Sequence, residues 1–296
     1  MKGFSLAKRE SFDEWQVKIQ ASYDTENSSK EYYWVIDSCI IQDFPGIVKK
    51  VAPSVEVIPL YINTYSKEVM EAGPMLVPYI PQSKLTETLF QLIQHYPVGY
   101  LVQVSKDKKE DLYSHFQNLT ECISAKGKRT LFRYYDPRIM FAITTYHDEP
   151  IKKRILGPIE GLHGWEHGRR SQFTAGDGMD SGRRCTEEVV YPENFIDHIW
   201  MEVRIHTLLH VYSDSLAQSH PGALYPDVYD IMDNTYKFLN KHGFATKESF
   251  DLATAFAAEF PGSLWENEEI VQAVAQAKDK SSFEAALTSV LEDYYG

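Results

Sequence analysis

The sequence is short of several things, and each shortage removes a class of protein. Among 296 residues there are three cysteines, Cys39, Cys122 and Cys185, and no C-x-x-C pair. Neither a disulfide framework nor a cysteine zinc site fits that usage, which suits a reducing compartment. No apolar run approaches the roughly 18 residues that a membrane-spanning helix requires. The opening MKGFSLAKRESFDEW reaches Asp13 and Glu14 before any apolar stretch, so it does not read as a signal peptide and a cytoplasmic location is expected. There is no G-x-G-x-x-G after the first strand, no phosphate-binding glycine loop and no G-x-S-x-G elbow. Dinucleotide, nucleotide and serine-hydrolase chemistry therefore lack their usual signatures, and no cofactor is expected.

Positive charge is also scarce, and unevenly so. The net charge of -12 lies wholly in residues 161–296, because residues 1–160 hold 20 basic and 20 acidic side chains. An acidic half repels phosphate backbones and anionic lipid, so neither nucleic acid nor a membrane is an expected partner. What the chain does have is aromatic surface: 19 tyrosines, 15 phenylalanines and five tryptophans. Such side chains bury large areas while tyrosine and tryptophan keep a polar handle, which serves sheet faces and protein interfaces alike.

Residues 1–31 read as a polar extension with a soft linker at SYDTENSSKE. After it, YYWVIDSCII is an aromatic and β-branched run, expected as a buried strand. Asp43 and Pro45 open a short helix, and further strands are expected at VEVIPLY, GPMLVPYI and VGYLVQV. SKLTETLFQLIQHY and KDKKEDLYSHFQNLTECI carry helical apolar spacing. TLFRYYDPR reads as strand then turn, with Pro137 in the first turn of a helix behind Asp136. Strands alternating with helices predict an α/β domain over residues 32–160, a mostly parallel sheet with helices on both faces. ILGPI closes it as an edge strand or loop. Residues 161–192 are rich in glycine without apolar period and read as a loop or linker. Helical spacing then returns over 193–296, predicting a smaller all-helical, acidic domain.

Three arrangements are chemically suggestive. HGWEH, His163 to His167, satisfies H-x-x-E-H, in which two histidines on one helical face bind zinc and Glu166 acts on the bound water. That geometry needs a helix, and Gly161, Gly164 and Gly168 weaken one. Glu187 or Glu188 would have to supply a third ligand, and nothing in the sequence places either nearby. His206 and His210 lie one helical turn apart, a spacing that also describes a solvated or core-edge face. Asp37 and Asp136 end predicted strands, where open sheets bind ligands; the structural reading is that each caps the next turn, with Arg133 and Arg138 as ion-pair partners. No metal site is assigned. A hydrolase built on the carboxylates or on HGWEH stands as the alternative reading.

At this point the chain resembles a known family. YYWVIDSC, GPMLVPYI, LFRYYDPRIM (residues 131–140) and ILGPIEGLHGW (residues 155–165) are similar to the adaptor, or chaperone, family of type VI secretion. The likeness covers about residues 32–165, and its most specific part is FRYYDPR. Two departures concern exposed surface: a compact segment between the first two strands, and PQSKLTETL where an aromatic-rich stretch is usual. The resemblance implies a non-enzymatic carrier that binds a secreted effector protein and loads it onto the VgrG spike protein. The residues expected to bind protein or to shape the site are Asp37, Phe132, Arg133, Tyr134, Tyr135, Asp136, Arg138 and Trp165. On a regular strand, Phe132 and Tyr134 would face away from Arg133 and Tyr135.

Overall fold

The computed structural model describes residues 11–23, 29–41, 43–61, 67–166, 169–175, 190–223, 225–260 and 264–295. The chain divides into two compact units, and the division falls between Glu202 and Val203. In the first unit the elements run α1 (Phe12–Tyr23), β1 (Lys30–Asp37), α2 (Phe44–Val51), β2 (Ile58–Pro59), α3 (Lys67–Ala72), β3 (Pro74–Pro78), α4 (Lys84–His95) and β4 (Gly99–Ser105). They continue as α5 (Lys109–Asn118), β5 (Glu121–Ser124), β6 (Arg129–Leu131), α6 (Pro137–Thr145), α7 (Glu149–Leu156), β7 (Gly161–Glu166), β8 (Arg169–Thr174) and β9 (Val190–Tyr191). Then α8 (Glu193–Val211) runs across the division.

The main sheet has the order β2-β3-β1-β4-β7-β8, and every neighbouring pair in it is antiparallel. This corrects the expectation of a mostly parallel sheet, and the reason is topological. β3 and β4 both run opposite to β1, hence parallel to one another, and α4 joins them. The alternation of strand and helix does mark a β-α-β crossover there, but β1 lies between its two strands. Strand–helix alternation fixes the crossover and leaves open what fills the gap. A separate small sheet, β6-β5-β9, pairs β5 with β6 antiparallel and with β9 parallel.

Two further readings change. Residues 161–166 and 169–174, glycine-rich and aperiodic in sequence, form the hairpin β7–β8 at one edge of the main sheet. Residues 176–189, with Cys185, Glu187 and Glu188, lie outside the described residues. The polar extension contains α1, opened by a capping box: the Glu14 amide donates to Ser11 Oγ at 3.2 Å, and the Ser11 amide donates to Glu14 Oε2 at 2.9 Å.

α1 belongs to the core. Alternate residues of β1, Tyr32, Trp34 and Ile36, face a cluster formed by Trp15 and Ile19 of α1, Phe44 and Val48 of α2, and Leu85, Leu89, Phe90 and Ile93 of α4. The Trp15 and Trp34 rings stack at 5.5 Å, and Trp15 meets Phe90 at 4.9 Å. Trp165 of β7 packs on this same side, 5.2 Å from the Phe90 ring and 6.3 Å from Trp15. On the opposite face Val35 pairs with Tyr100, whose ring meets Phe141 of α6 edge-on at 6.3 Å.

The second unit is helical: the end of α8, then α9 (Ser213–Ser219), α10 (Tyr225–Lys241), α11 (Lys247–Glu259), α12 (Glu268–Gln276) and α13 (Lys280–Tyr295). Its helix ends are written locally. Thr246 Oγ1 accepts from the Ser249 amide at 3.2 Å, and Asn267 Oδ1 from the Glu269 amide at 2.9 Å. Gly243, at φ +78°, ends α10 with a Schellman pair: its amide donates to the Asn240 carbonyl and the Phe244 amide to the Leu239 carbonyl. Buried Val228, Met232, Phe250, Ala253, Ala257, Val274 and Phe283 supply the interior.

Candidate functional site

The FRYYD segment is not a strand. β6 stops at Leu131, and residues 132–136 turn before α6 begins at Pro137. The expected alternation of faces is therefore absent: Phe132, Tyr134, Tyr135 and Asp136 are all buried, and only Arg133 is exposed. A turn can bury adjacent side chains on one side of the backbone where a pleated strand cannot.

Each buried ring has a distinct seat. Phe132 packs on Tyr191 of β9 and Phe195 of α8, at 5.4 and 6.3 Å. Tyr134 stacks on Phe116 of α5 at 5.1 Å, and its backbone carbonyl accepts the Tyr100 hydroxyl at 2.8 Å. Tyr135 stands edge-on to Tyr134 at 5.5 Å and receives a hydrogen bond of 2.9 Å from the Tyr61 hydroxyl. Burial is the main cause of the raised pKa of all three tyrosines, Tyr100, Tyr134 and Tyr135, which are neutral hydroxyls at physiological pH.

The two carboxylates do different jobs and do not form a pair with each other. Asp37, the last residue of β1, is buried; its Oδ1 accepts from the Cys39 amide at 3.2 Å, and its Oδ2 receives Arg133 Nη2 at 2.9 Å. Asp136 accepts from the Arg138 amide at 3.0 Å as the cap of α6 and holds the Arg138 guanidinium in a fork, Nε at 2.8 Å and Nη2 at 2.6 Å. The Arg133 guanidinium, 45% exposed at the side chain, also sits 5.6 Å from the centre of the Tyr135 ring. Partial burial works against its charge, but Tyr135, Asp136 and Asp37 outweigh it and hold the pKa above the ordinary arginine value.

The sequence did not point to the other half of this corner. After Asp37 the chain makes a 3-10 turn, Ser38–Ile40, and Ser38 Oγ donates to the Gly73 carbonyl at 2.5 Å. Cys39 Sγ bonds the Ala72 carbonyl, and burial followed by the nearby Asp37 carboxylate raises its thiol pKa. Gly73 is required by close approach, since a Cβ there would meet the Tyr61 ring at 2.5 Å. Tyr61 and Gly73 thus tie β3 to the turn that carries Tyr135. The only sequence signal for them was their place at the ends of two expected strands, Tyr61 closing VEVIPLY and Gly73 opening GPMLVPYI. Exposed apolar side chains neighbour these residues in sequence, Leu131 two residues before Arg133 and Ile40 three after Asp37; Val69 is also exposed, on α3, an element that contacts the 3-10 turn.

The remaining candidates lie elsewhere. Trp165 sits with Trp15 and Phe90 on the opposite face of the sheet. His163 is buried in β7, where the backbone is extended to Glu166, so the helical spacing that H-x-x-E-H needs is not present. His167 lies outside the described residues, as do the side chains of Glu166 and His210. His206 meets the Tyr229 ring at 6.2 Å. Among the described residues no three His, Cys, Asp or Glu side chains converge as a metal site, and no helix is long and apolar enough to cross a membrane.

Residues 32–152 match the model of a protein family described as a domain of unknown function, DUF4123. That span runs from β1 through the FRYYD turn and α6 into α7, and so contains every member of the corner. No curated protein and no solved structure matches the chain.

Proposed function

We propose that this protein is a type VI secretion adaptor, which binds an effector protein and promotes its loading onto the VgrG spike protein. The reading rests on the FRYYDPR signature together with the DUF4123 match over residues 32–152. The observation that carries it is the state of the corner. Its carboxylates are consumed by caps and ion pairs, while Arg133 remains half-exposed and fixed in direction by Asp37 and Tyr135. An arginine held rigidly by Asp37, with exposed Ile40 three residues after that aspartate and exposed Leu131 two residues before the arginine, has the composition of a protein-binding anchor. Ordering it in advance lowers the entropy lost when a partner docks. Buried Tyr134, Tyr135 and Asp136 shape that anchor and need not touch the partner.

The role is non-catalytic in this proposal, and no feature of the corner favours the hydrolase alternative. Tagged protein should capture both the effector and VgrG when the three are co-expressed. Ile40→Asp and Arg133→Gln, each assayed at a temperature where its melting curve shows it fully folded, should each reduce capture at least tenfold. Undiminished capture by both variants removes the corner from the interface; capture of neither protein by the wild type rejects the adaptor role itself.

A further inference from the structure

The small sheet runs β6-β5-β9, so one side of β6 has no neighbouring strand among the described residues. Two hydrogen bonds fix which groups face that side. The Phe132 amide donates to the Thr120 carbonyl at 2.9 Å, and the Ser124 amide to the Lys128 carbonyl at 2.9 Å. Thr130, opposite Cys122, falls midway between them and completes the row of positions that bond to β5. Arg129 and Leu131 occupy the alternate positions, and their N–H and C=O groups point away from β5. Neither main-chain group of Leu131 is hydrogen-bonded among the described residues, and all three residues of β6 are exposed.

Main-chain donors and acceptors aimed outward from a strand are complemented by a second extended backbone. The side chains decide which backbone. Residues 125–133 carry Lys126, Lys128, Arg129 and Arg133 and no acidic residue. Arg133 is held by Asp37, while Lys126 with Glu193 and Arg129 with Glu121 are exposed pairs, worth little in solvent. Lys128 is exposed and has no ion pair among the described residues. Edge-to-edge pairing with a second copy would set two such groups of cations against each other, which disfavours that occupant. Leu131, 44% exposed, and Arg129 are two residues apart and share one face of the sheet. A strand laid against them suits both with an apolar residue and, two positions away, a carboxylate.

We propose that the outer edge of β6 pairs with an extended, acidic segment of the effector protein, which adds a fourth strand to the small sheet. The identity of that partner rests on the adaptor reading; the addition of an acidic strand stands on the edge itself. Main-chain bonds would supply the grip, and the cations around β6 would admit an acidic strand while turning away basic ones. Leu131 precedes Arg133 by two residues, so the added strand would lie along the chain that leads into the corner.

Full-length protein labelled with nitrogen-15 leucine tests this, with the Leu131 amide resonance assigned by its loss in Leu131→Ala. Acetyl-Glu-Thr-Val-Thr-Glu-amide, which places an acid two positions from the valine in either strand direction, should shift that resonance saturably. The counterpart with lysine for both glutamates should bind about tenfold more weakly. The same acidic peptide N-methylated at its valine and glutamate amides keeps every side chain but cannot pair, and should give no saturable shift. No response to the acidic peptide, or an equal response to either counterpart, overturns the proposal. So does a dimer in sedimentation that Leu131→Pro abolishes, because the occupant would then be a second copy. Effector capture separates the layers. Proline at position 131 removes an outward N–H and no bond to β5, so Leu131→Pro should fold and lose capture at least tenfold, while Leu131→Ala stays within about threefold. If the wild type captures effector and Leu131→Pro captures it equally well, the edge has no part in cargo binding. If the wild type captures none, the adaptor reading has failed, and the peptide titration still decides whether the edge accepts an acidic strand.

Discussion

The described residues from Ser11 to Glu202 and those from Val203 onward are stabilised in different ways. The first unit is assembled from large rings brought together over long sequence distances: Trp15 on Trp34, Phe116 on Tyr134, Tyr61 on Tyr135. It buries one end of an ion pair, Asp37, 96 residues from its partner Arg133. In the second unit, caps and turns written within a few residues stand beside ring contacts such as Trp265 on Phe238 and Phe244 on Phe283, and its buried α11 positions include Ala253, Ala257 and Ala258. One of its ion pairs, Arg204 with Asp251, joins two partly exposed side chains. The contrast teaches where specificity resides. Large rings in a sheet core allow few alternative packings; in the helical unit local chemistry writes the helix ends, while the short helices themselves are held by packing their apolar faces together.

The comparison can be broken most directly at Trp15. Removing a fully buried ring stacked on Trp34 and Phe90 should cost about 3–5 kcal/mol in chemical denaturation of Trp15→Ala. A loss under about 1 kcal/mol would mean that α1 is an appendage and not part of the sheet core.

Acid is the next largest probe. His115 of α5 is buried and its Nε2 lies 2.8 Å from the Ile155 carbonyl oxygen; burial lowers its pKa to about 4, against that hydrogen bond. The unfolded chain takes up this proton near pH 6.5 and the folded one only near 4. The contribution is therefore complete above about pH 6.5, falls with pH through that window, and changes no further below about 4; it amounts to about 3 kcal/mol. Denaturation of wild type and His115→Gln from pH 7.5 to 4 should show a shallower loss in the variant. Parallel curves would remove His115 as the cause.

The corner sharpens the contrast at a smaller scale. Arg133→Ala leaves the Asp37 carboxylate buried with one amide donor, and because the guanidinium is half in solvent the cost should be about 2 kcal/mol, below that of a fully buried pair. Arg133→Lys should recover only part, having no planar fork. The smallest effect belongs to the helical unit: Gly243→Ala forces a side chain into φ +78° and should cost about 1 kcal/mol, read from the melting transition. If Gly243→Ala costs more than Arg133→Ala, the division between long-range and local stabilisation is wrong.

Much of this fold was legible because it depends on local chemistry. Ser83 caps α4, Asp136 and Pro137 open α6, and Gly243 ends α10, each by a rule acting over four or five residues. α1 was also within reach, since Ser11 and Glu14 form a capping box and Trp15 and Ile19 share a helical face. The hairpin β7–β8 was not, because Gly161, Gly164 and Gly168 erase the period by which a strand is read. For the corner, the pairing of Arg133 and Arg138 with carboxylates followed from residue type. Which arginine meets which aspartate depends on β1 lying beside the turn.

By itself the sequence determined the helix ends, the acidic balance of the C-terminal half and the FRYYDPR signature, since these depend on neighbours along the chain or on composition alone. Tertiary structure decided strand direction, the seat of α1 and the union of Tyr61, Gly73, Asp37 and Arg133. Each of those depends on segments tens of residues apart, and no local preference specifies which of them will meet.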